Sequence, residues 1–407
     1  MRLLAAIISF TLIFANFTGC DNQLGGNNGQ VEEVDEVFKY LSNTYYKLTV
    51  DKKLSMAFVG GSVTDGYGST DQNSKSWVYL LTQWFRDSFP DAKVGGTKLS
   101  IGGTGSYLAD FRYEREVKVK NPDLLFIEYA VNDLYYGRTY EETVRTAESL
   151  VQKAYADNPY MDIVFVLVSD KERGTDAYDT LRAHRDVAEK YGLLCITMTD
   201  YIYPMLKKTG DDYGKYFADG VHPNDAGYEF YASVIIDKIK ADILSGKADA
   251  VVPTELKAVT LPEETLTKES IMLDATMVYT NKLDLTNSNG WEYQPNTNFS
   301  WLGTRYRGRL YASEIGARLE FEFEGTDLGL LFGSGPDAGV VTCTVDDREP
   351  VKINAYRASK NPSEAMIAWD IPDGKHKVVI ELTGKGNSGK NTFEIGAILV
   401  NGEVITK

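Results

Sequence analysis

Five short apolar runs punctuate the chain up to Asp200: LSMAFVG, TKLSIGG, DLLFIEYA, DIVFVLVS and LLCITMTD. Each has about the length of a buried strand and is flanked by Gly, Asn, Asp or Pro. Between them lie stretches such as SWVYLLTQWFRDSF and EETVRTAESLVQKAYAD, whose apolar residues recur at helical spacing. Ahead of the first run, Val34, Val37, Phe38 and Leu41 predict a further helix from Val31 to about Tyr46. Strands joined through helices close right-handed βαβ units, and strands apolar on both sides must be covered on both. The pattern therefore predicts a parallel sheet between two helical layers. Ligands of such sheets meet the carboxyl ends of the strands.

Beyond Ile243 the period changes. SGKADAVVPTELKAVTLPEET reads as a linker, and LEFEFEG, VVTCTVDD and HKVVIEL then alternate with period two, each closing near a turn signal. This is the pattern of an antiparallel β-sandwich. A chain of 407 residues exceeds what one core usually fills, which agrees with two domains. The resulting division is 1–20 signal, 21–30 tether, 31–250 α/β domain, 251–270 linker and 271–407 β-sandwich.

The N-terminus, MRLLAAIISFTLIFANFTGC, has one positive charge at Arg2 and an apolar run from Leu3 to Phe14. That run is too short for an ordinary spanning helix and reads as a secretory signal. FTGC resembles a bacterial lipobox, with Phe17 in place of the usual Leu, and predicts lipidation at Cys20. The alternative is a plain signal peptide cut elsewhere. DNQLGGNNGQ behind it is too polar to fold and suits a tether. The expectation is an exported protein, lipid-anchored to a bacterial membrane on its periplasmic or outer face. A net charge of −15 excludes nucleic acid as a natural partner and weakens electrostatic attachment to anionic lipid, leaving the Cys20 anchor as the membrane link. Cys195 and Cys343 lie in apolar runs and are expected as free buried thiols. With three histidines and no CxxC, no zinc site is expected.

Chemistry concentrates in four places. FVGGSVTDGYG (58–68) sets Ser62 at the mouth of a buried strand, after two glycines. The glycines suit a sharp turn, whether it is a plain strand-to-helix connection or one that projects a nucleophile. Val63 is expected inward, with Thr64 or Asp65 capping the next helix. In ADGVHPNDAGY, Asp219 precedes His222 by three residues in a Gly- and Pro-punctuated loop. The carboxylate can there hold Nδ1 of the imidazole and leave Nε2 for a serine, unless Asp219 and Asn224 are only turn or cap residues. His184, in the middle of a helix, reads as a surface residue, and His376, after a turn, as exposed. Gly103 in SIGGTGS offers a backbone N–H and Asn132 in EYAVND a side-chain NH₂, both suited to an oxyanion and both common in turns.

Taken in order, GGSVT, SIGGT, AVND and DGVHP resemble the four blocks of the SGNH (GDSL-type) hydrolases, over roughly residues 50 to 243. Two positions depart from the family pattern: Gly61 stands for the aspartate of GDS and Ala130 for the glycine of GxND. The resemblance implies a flavodoxin-like three-layer fold. It also implies a Ser62–His222–Asp219 triad, an oxyanion hole of Ser62 N–H, Gly103 and Asn132, and no cofactor. The block style is similar to bacterial members that deacetylate polysaccharides, so the implied substrate is an acylated carbohydrate. Tyr67, Trp77, Tyr107, Tyr135 and Tyr136 are candidate cleft residues near the serine. Trp291, Tyr293, Trp301, Tyr306, Tyr311 and Trp369 could form a glycan-binding face on the sandwich or fill its core or the domain interface. Two alternatives stay open: an O-acetyltransferase with the same triad, and a glycan-binding lipoprotein with a vestigial hydrolase domain.

Overall fold

A computed structural model describes residues 40–174, 178–243, 255–261, 275–279, 283, 285–298 and 307–405. The expected signal, the Cys20 lipidation site and the tether lie outside them, as do most of the first predicted helix, most of the linker, Trp301 and Tyr306.

The five strands of the first domain are β1 (Lys53–Gly60), β2 (Lys93–Lys98), β3 (Leu124–Glu128), β4 (Asp162–Leu167) and β5 (Leu194–Thr197). All pair in parallel, in the order β2-β1-β3-β4-β5. This is the flavodoxin-like doubly wound order. Alternate residues of one strand feed two different cores. On β1, Leu54, Met56 and Phe58 face a cluster shared with helices α3 (Trp77–Ser88) and α9 (Asp225–Ile243). Ala57 and Val59 face the opposite cluster, shared with α4 (Ser106–Lys120), α6 (Tyr140–Asp157) and α7 (Asp179–Lys190). Two apolar faces leave no room for polar alternation, so the runs read as continuous. Helix starts are locally encoded as well. Ser76 accepts from Tyr79 N–H at the head of α3, and Thr139 with Glu142 forms a capping box on α6. The second strand ends at Lys98, earlier than the TKLSIGG run suggested. The chain nevertheless continues beside β1, with Leu99 N–H on Phe58 C=O and Ile101 N–H on Gly60 C=O.

The second domain is an antiparallel β-sandwich. Nine strands join one ladder among the described residues, built around the long β9 (Arg318–Ser334) and β14 (Phe393–Ile405). β9 exchanges partners along its length. Its first half pairs with β13 (Gly374–Gly384), its second with β12 (Asn361–Ala368), while β14 runs along its other side. The burial pattern changes at the same point. Leu319, Phe321 and Phe323 are buried with glutamates between them, whereas Leu328 to Ser334 are buried without interruption. The cause is a third layer. Leu328, Leu330 and Phe332 enter the sandwich core, while Leu331, with Ala397 and Leu399, packs on Ile101, Tyr107, Leu108 and Phe111 of the α/β domain. Buried ion pairs reinforce this junction, with Arg145 on Asp327 at 3.3 Å and under the ring of Trp369 at 4.3 Å.

Candidate active site

The nucleophile turn grows directly out of β1. Gly60 ends the strand and Gly61 precedes the short helix α2 (Ser62–Asp65). The two glycines are there for space rather than for a left-handed backbone, since Gly61 has φ of −87°. A Cβ on Gly60 would overlap the Thr64 side chain, and one on Gly61 would overlap the carboxamide of Asn132. Gly61, where the family pattern has aspartate, thus lets Asn132 close in beside Ser62. Val63 is buried, as expected. Thr64 and Asp65 do not cap the helix. Thr64 donates its N–H and hydroxyl to Glu128 Oε2 at 3.2 and 2.9 Å, and Asp65 accepts from the Ser100 hydroxyl. Glu128, at the end of β3, is fully buried beneath the turn, and that burial pushes its carboxyl up to about 8.

His222 reaches the serine from the loop before α9. Its Nε2 lies 2.7 Å from Ser62 Oγ, and its Nδ1 lies 2.7 Å from Asp219 Oδ2. Asp219 Oδ1 accepts the backbone N–H groups of Val221 and His222, both at 2.8 Å. Partial burial opposes ionisation of Asp219, but these N–H donors and the imidazole outweigh it and hold its carboxyl below the ordinary aspartate value. Carboxylate, imidazole and hydroxyl therefore form one unbroken relay. The Tyr67 ring stands edge-on to His222 with centroids 4.7 Å apart. Gly68, at φ +94°, faces the Pro223 carbonyl and the His222 Cβ, an approach that a side chain would obstruct.

Ser62, Gly103, Asn132, Asp219 and His222 all line a single cavity of about 870 Å³. Gly103 has φ +76° in the loop before α4, and Asn132 sits on α5 (Ala130–Tyr135), immediately after β3. Of the candidate cleft aromatics, Tyr67, Tyr135 and Tyr136 line the cavity. Trp77 and Tyr107 do not. Trp77 is fully buried in the α3 face of the sheet, and Tyr107 is buried at the domain junction beside Trp369. Their sequence proximity to the serine misled because both lie on the buried faces of their helices.

The opposite wall is built by residues that the sequence reading did not single out. Ser334, Arg357, Ser359, Asn361, Pro362 and Ser363 come from the sandwich. Of its aromatics, three take the core or interface placement rather than a glycan-binding face: Trp291 is in the core, Tyr293 packs against it, and Trp369 is at the junction. Tyr311 is half-buried beneath Arg309. Two histidines also need correction. His184 is fully buried, with Nε2 2.8 Å from Asp133 Oδ2, and His376 is buried, with Nδ1 2.7 Å from Asp346 Oδ2. Cys195 and Cys343 are free, the first half-buried and the second buried, and burial pushes both thiols up to about 12. Among the described residues, no group of three or more His, Cys, Asp or Glu is placed to hold a metal ion.

Residues 58–230 match the model of the GDSL-like lipase/acylhydrolase family. Over these residues the α/β domain is similar to that family. The chain is accordingly a carboxylic ester hydrolase. A two-domain esterase (CEX) active on acetylated mannans, crystallised with mannopentaose, is 23% identical and superposes with a TM-score of 0.74. The match covers 91% of this chain and 98% of that one, so both domains share its fold. A second structure of CEX gives the same identity and TM-score, with 97% of that chain covered. The acetyl xylan esterase AlAXEase is 19% identical over 46% of this chain and all of its own, with a TM-score of 0.39. A sequence search of curated proteins returned no match.

Proposed function

We propose that this GDSL-like hydrolase is a serine esterase that removes O-acetyl groups from an acetylated polysaccharide. The observation that carries the reading is the relay from Asp219 through His222 to Ser62, opening on the same cavity as Gly103 and Asn132. Ser62 Oγ attacks the ester carbonyl and passes its proton to His222 Nε2. Asp219 meanwhile fixes the tautomer and balances the imidazolium. The oxyanion of the tetrahedral intermediate is met by the N–H groups of Ser62 and Gly103 and by the Asn132 carboxamide, three donors set before the charge develops. Collapse breaks the bond to the sugar oxygen, which takes the proton from His222 Nε2 as it leaves and departs as a hydroxyl. Water, deprotonated by the same imidazole, then cleaves the acyl-enzyme to acetate and free Ser62.

A glycan substrate is supported by the cavity walls. Tyr67 and Tyr135 present exposed rings on one side, suited to sugar faces, and the serines and Asn361 of the sandwich offer hydroxyl and amide partners on the other. The two-domain likeness to a mannan esterase points the same way. We further propose that residues 1–20 export the protein and that Cys20 is lipidated, which places it where polysaccharides are met. Mass spectrometry of the mature N-terminal peptide should find diacylglyceryl-Cys20; an unmodified start elsewhere would remove the anchor. For the activity, acetate release from acetylated mannan and acetylated xylan should be measured beside Ser62→Ala. Release by the parent alone is the expected result, and equal release by both would refute the esterase.

A further inference from the structure

The loop that carries Gly103 is held from the other domain. Glu364 lies on β12, in the same stretch as the wall residues Asn361 to Ser363, yet it is itself only 3% exposed. A buried carboxylate persists where hydrogen bonds and opposite charge meet it. Here Oε2 accepts from the N–H of Gly105 at 3.3 Å and of Leu108 at 3.2 Å, while Oε1 pairs with Arg138 at 3.3 Å. Gly105 is the N-cap of α4 and has no side chain to offer its own helix. The first-turn donors, which a Ser or Asp cap would ordinarily satisfy, fall instead to Glu364 and to Asp133, whose Oδ1 accepts from Ser106 N–H at 2.8 Å. The backbone of Glu364 reaches the same loop by a second route. Its N–H donates to the Tyr136 hydroxyl at 3.4 Å, which donates to the Gly103 carbonyl at 2.6 Å. Residues 103 to 105 are thus tied at both ends to one side chain and one peptide of the sandwich.

We infer that Glu364 is a positioning residue for the oxyanion hole: the sandwich fixes the loop that presents Gly103, and the hydrolase geometry is incomplete without β12. This rests on the serine-esterase reading. It assigns the second domain a role separate from any contact with sugar, because Glu364 need not touch substrate. Position 103 favours glycine through its positive φ, and such a backbone needs outside ties to hold one orientation. Two of those ties run to residue 364, across a sequence separation of 259 from Gly105.

The test uses the full chain and 4-nitrophenyl acetate, an ester without sugar, so that lost glycan contacts cannot enter the result. Glu364→Ala should lower kcat by about 10- to 100-fold, the cost of a donor displaced by a fraction of an ångström. KM should change by less than about twofold. Glu364→Gln keeps an acceptor oxygen for the two N–H groups and should recover most of the loss. Tyr136→Phe, which breaks only the bridge from the residue 364 backbone to Gly103, should lower kcat by a smaller factor and lower it further in the double variant with Glu364→Ala, because the two substitutions cut separate ties to one loop. A purely structural role would lower the melting temperature and leave kcat unchanged well below it. Wild-type kcat in folded Glu364→Ala, or in Tyr136→Phe should the former not fold, overturns the inference. If the parent is no faster than Ser62→Ala on this ester, the esterase reading fails first and the inference falls with it.

Discussion

Two His–Asp pairs in the α/β domain have nearly the same geometry and opposite surroundings. His222 and Asp219 lie 2.7 Å apart at the rim of the cavity, with the Asp219 side chain 49% exposed; His184 and Asp133 lie 2.8 Å apart with neither exposed at all. The distinction lies at the other nitrogen. His222 turns it to the Ser62 hydroxyl, whereas His184 Nδ1 is buried without a hydrogen-bond partner among the described residues. A carboxylate beside an imidazole is therefore no mark of catalysis by itself; the third group decides. His184 joins α7 to the residue that follows Asn132, and Asp133 also caps α4, so this pair ties two helices to the oxyanion side.

Mutation should separate the pairs sharply. Ser62→Ala and His222→Ala should each cost at least about 10⁴-fold in kcat on a soluble ester, and the double variant scarcely more, since the members act as a unit. Asp219→Asn should cost less, about 10²-fold, because solvent reaches this carboxylate and can share the charge of the imidazolium. Steady-state kinetics on folded protein check both. An Asp219→Asn as inactive as His222→Ala would mean that tautomer control outweighs electrostatic support.

His184→Leu should act on stability instead. It leaves the Asp133 carboxylate buried with one partner removed, a change worth about 3 kcal/mol or more of folding free energy. Denaturant melts should show that loss, while kcat well below the transition falls less than about tenfold. If folded His184→Leu were as inactive as His222→Ala, the contrast between the two pairs would collapse, and His184 would belong to the catalytic machinery.

How much of this was legible follows from how local each feature is. Strand and helix periods encode the two domains because burial on one or two faces writes directly into the sequence. Asp219 and His222 could be read together because three residues in one loop bring them into contact. The partners of His184 and His376 lie 51 and 30 residues away, so nothing nearby marked those rings as buried. Trp77 and Tyr107 stood near the serine in sequence but on helix faces committed to the core. The sandwich wall came from the far end of the chain. One signal for it did exist: alternation in LEFEFEG gives way to unbroken burial from Leu328 onward, where β9 acquires a second covered face. Gly60 and Gly61 were legible as necessary, though the reason is room for Thr64 and Asn132 rather than positive φ.

Glu128 sharpens the comparison from a third direction. It is a carboxylate as buried as Asp133, set under the nucleophile turn, and held by a hydroxyl and an N–H of Thr64 rather than by an imidazole. Burial outweighs these hydrogen bonds, and its carboxyl is pushed up to about 8, against 4.5 ordinarily. Between those values the folded protein keeps a proton that the unfolded chain releases. Stability must therefore fall as pH rises from about 5 to about 8, by up to about 1.4 kcal/mol per pH unit, and level off beyond. Asp162, pushed by burial up to about 7, contributes in the same direction. Glu128→Gln keeps an oxygen for Thr64 and cannot ionise. Denaturant melts across this range should show the variant losing the Glu128 share of the slope and retaining that of Asp162, with kcat within a few-fold of the parent. Parallel curves for the two proteins would mean that Glu128 is ionised beneath Ser62, its charge met by the Thr64 donors alone.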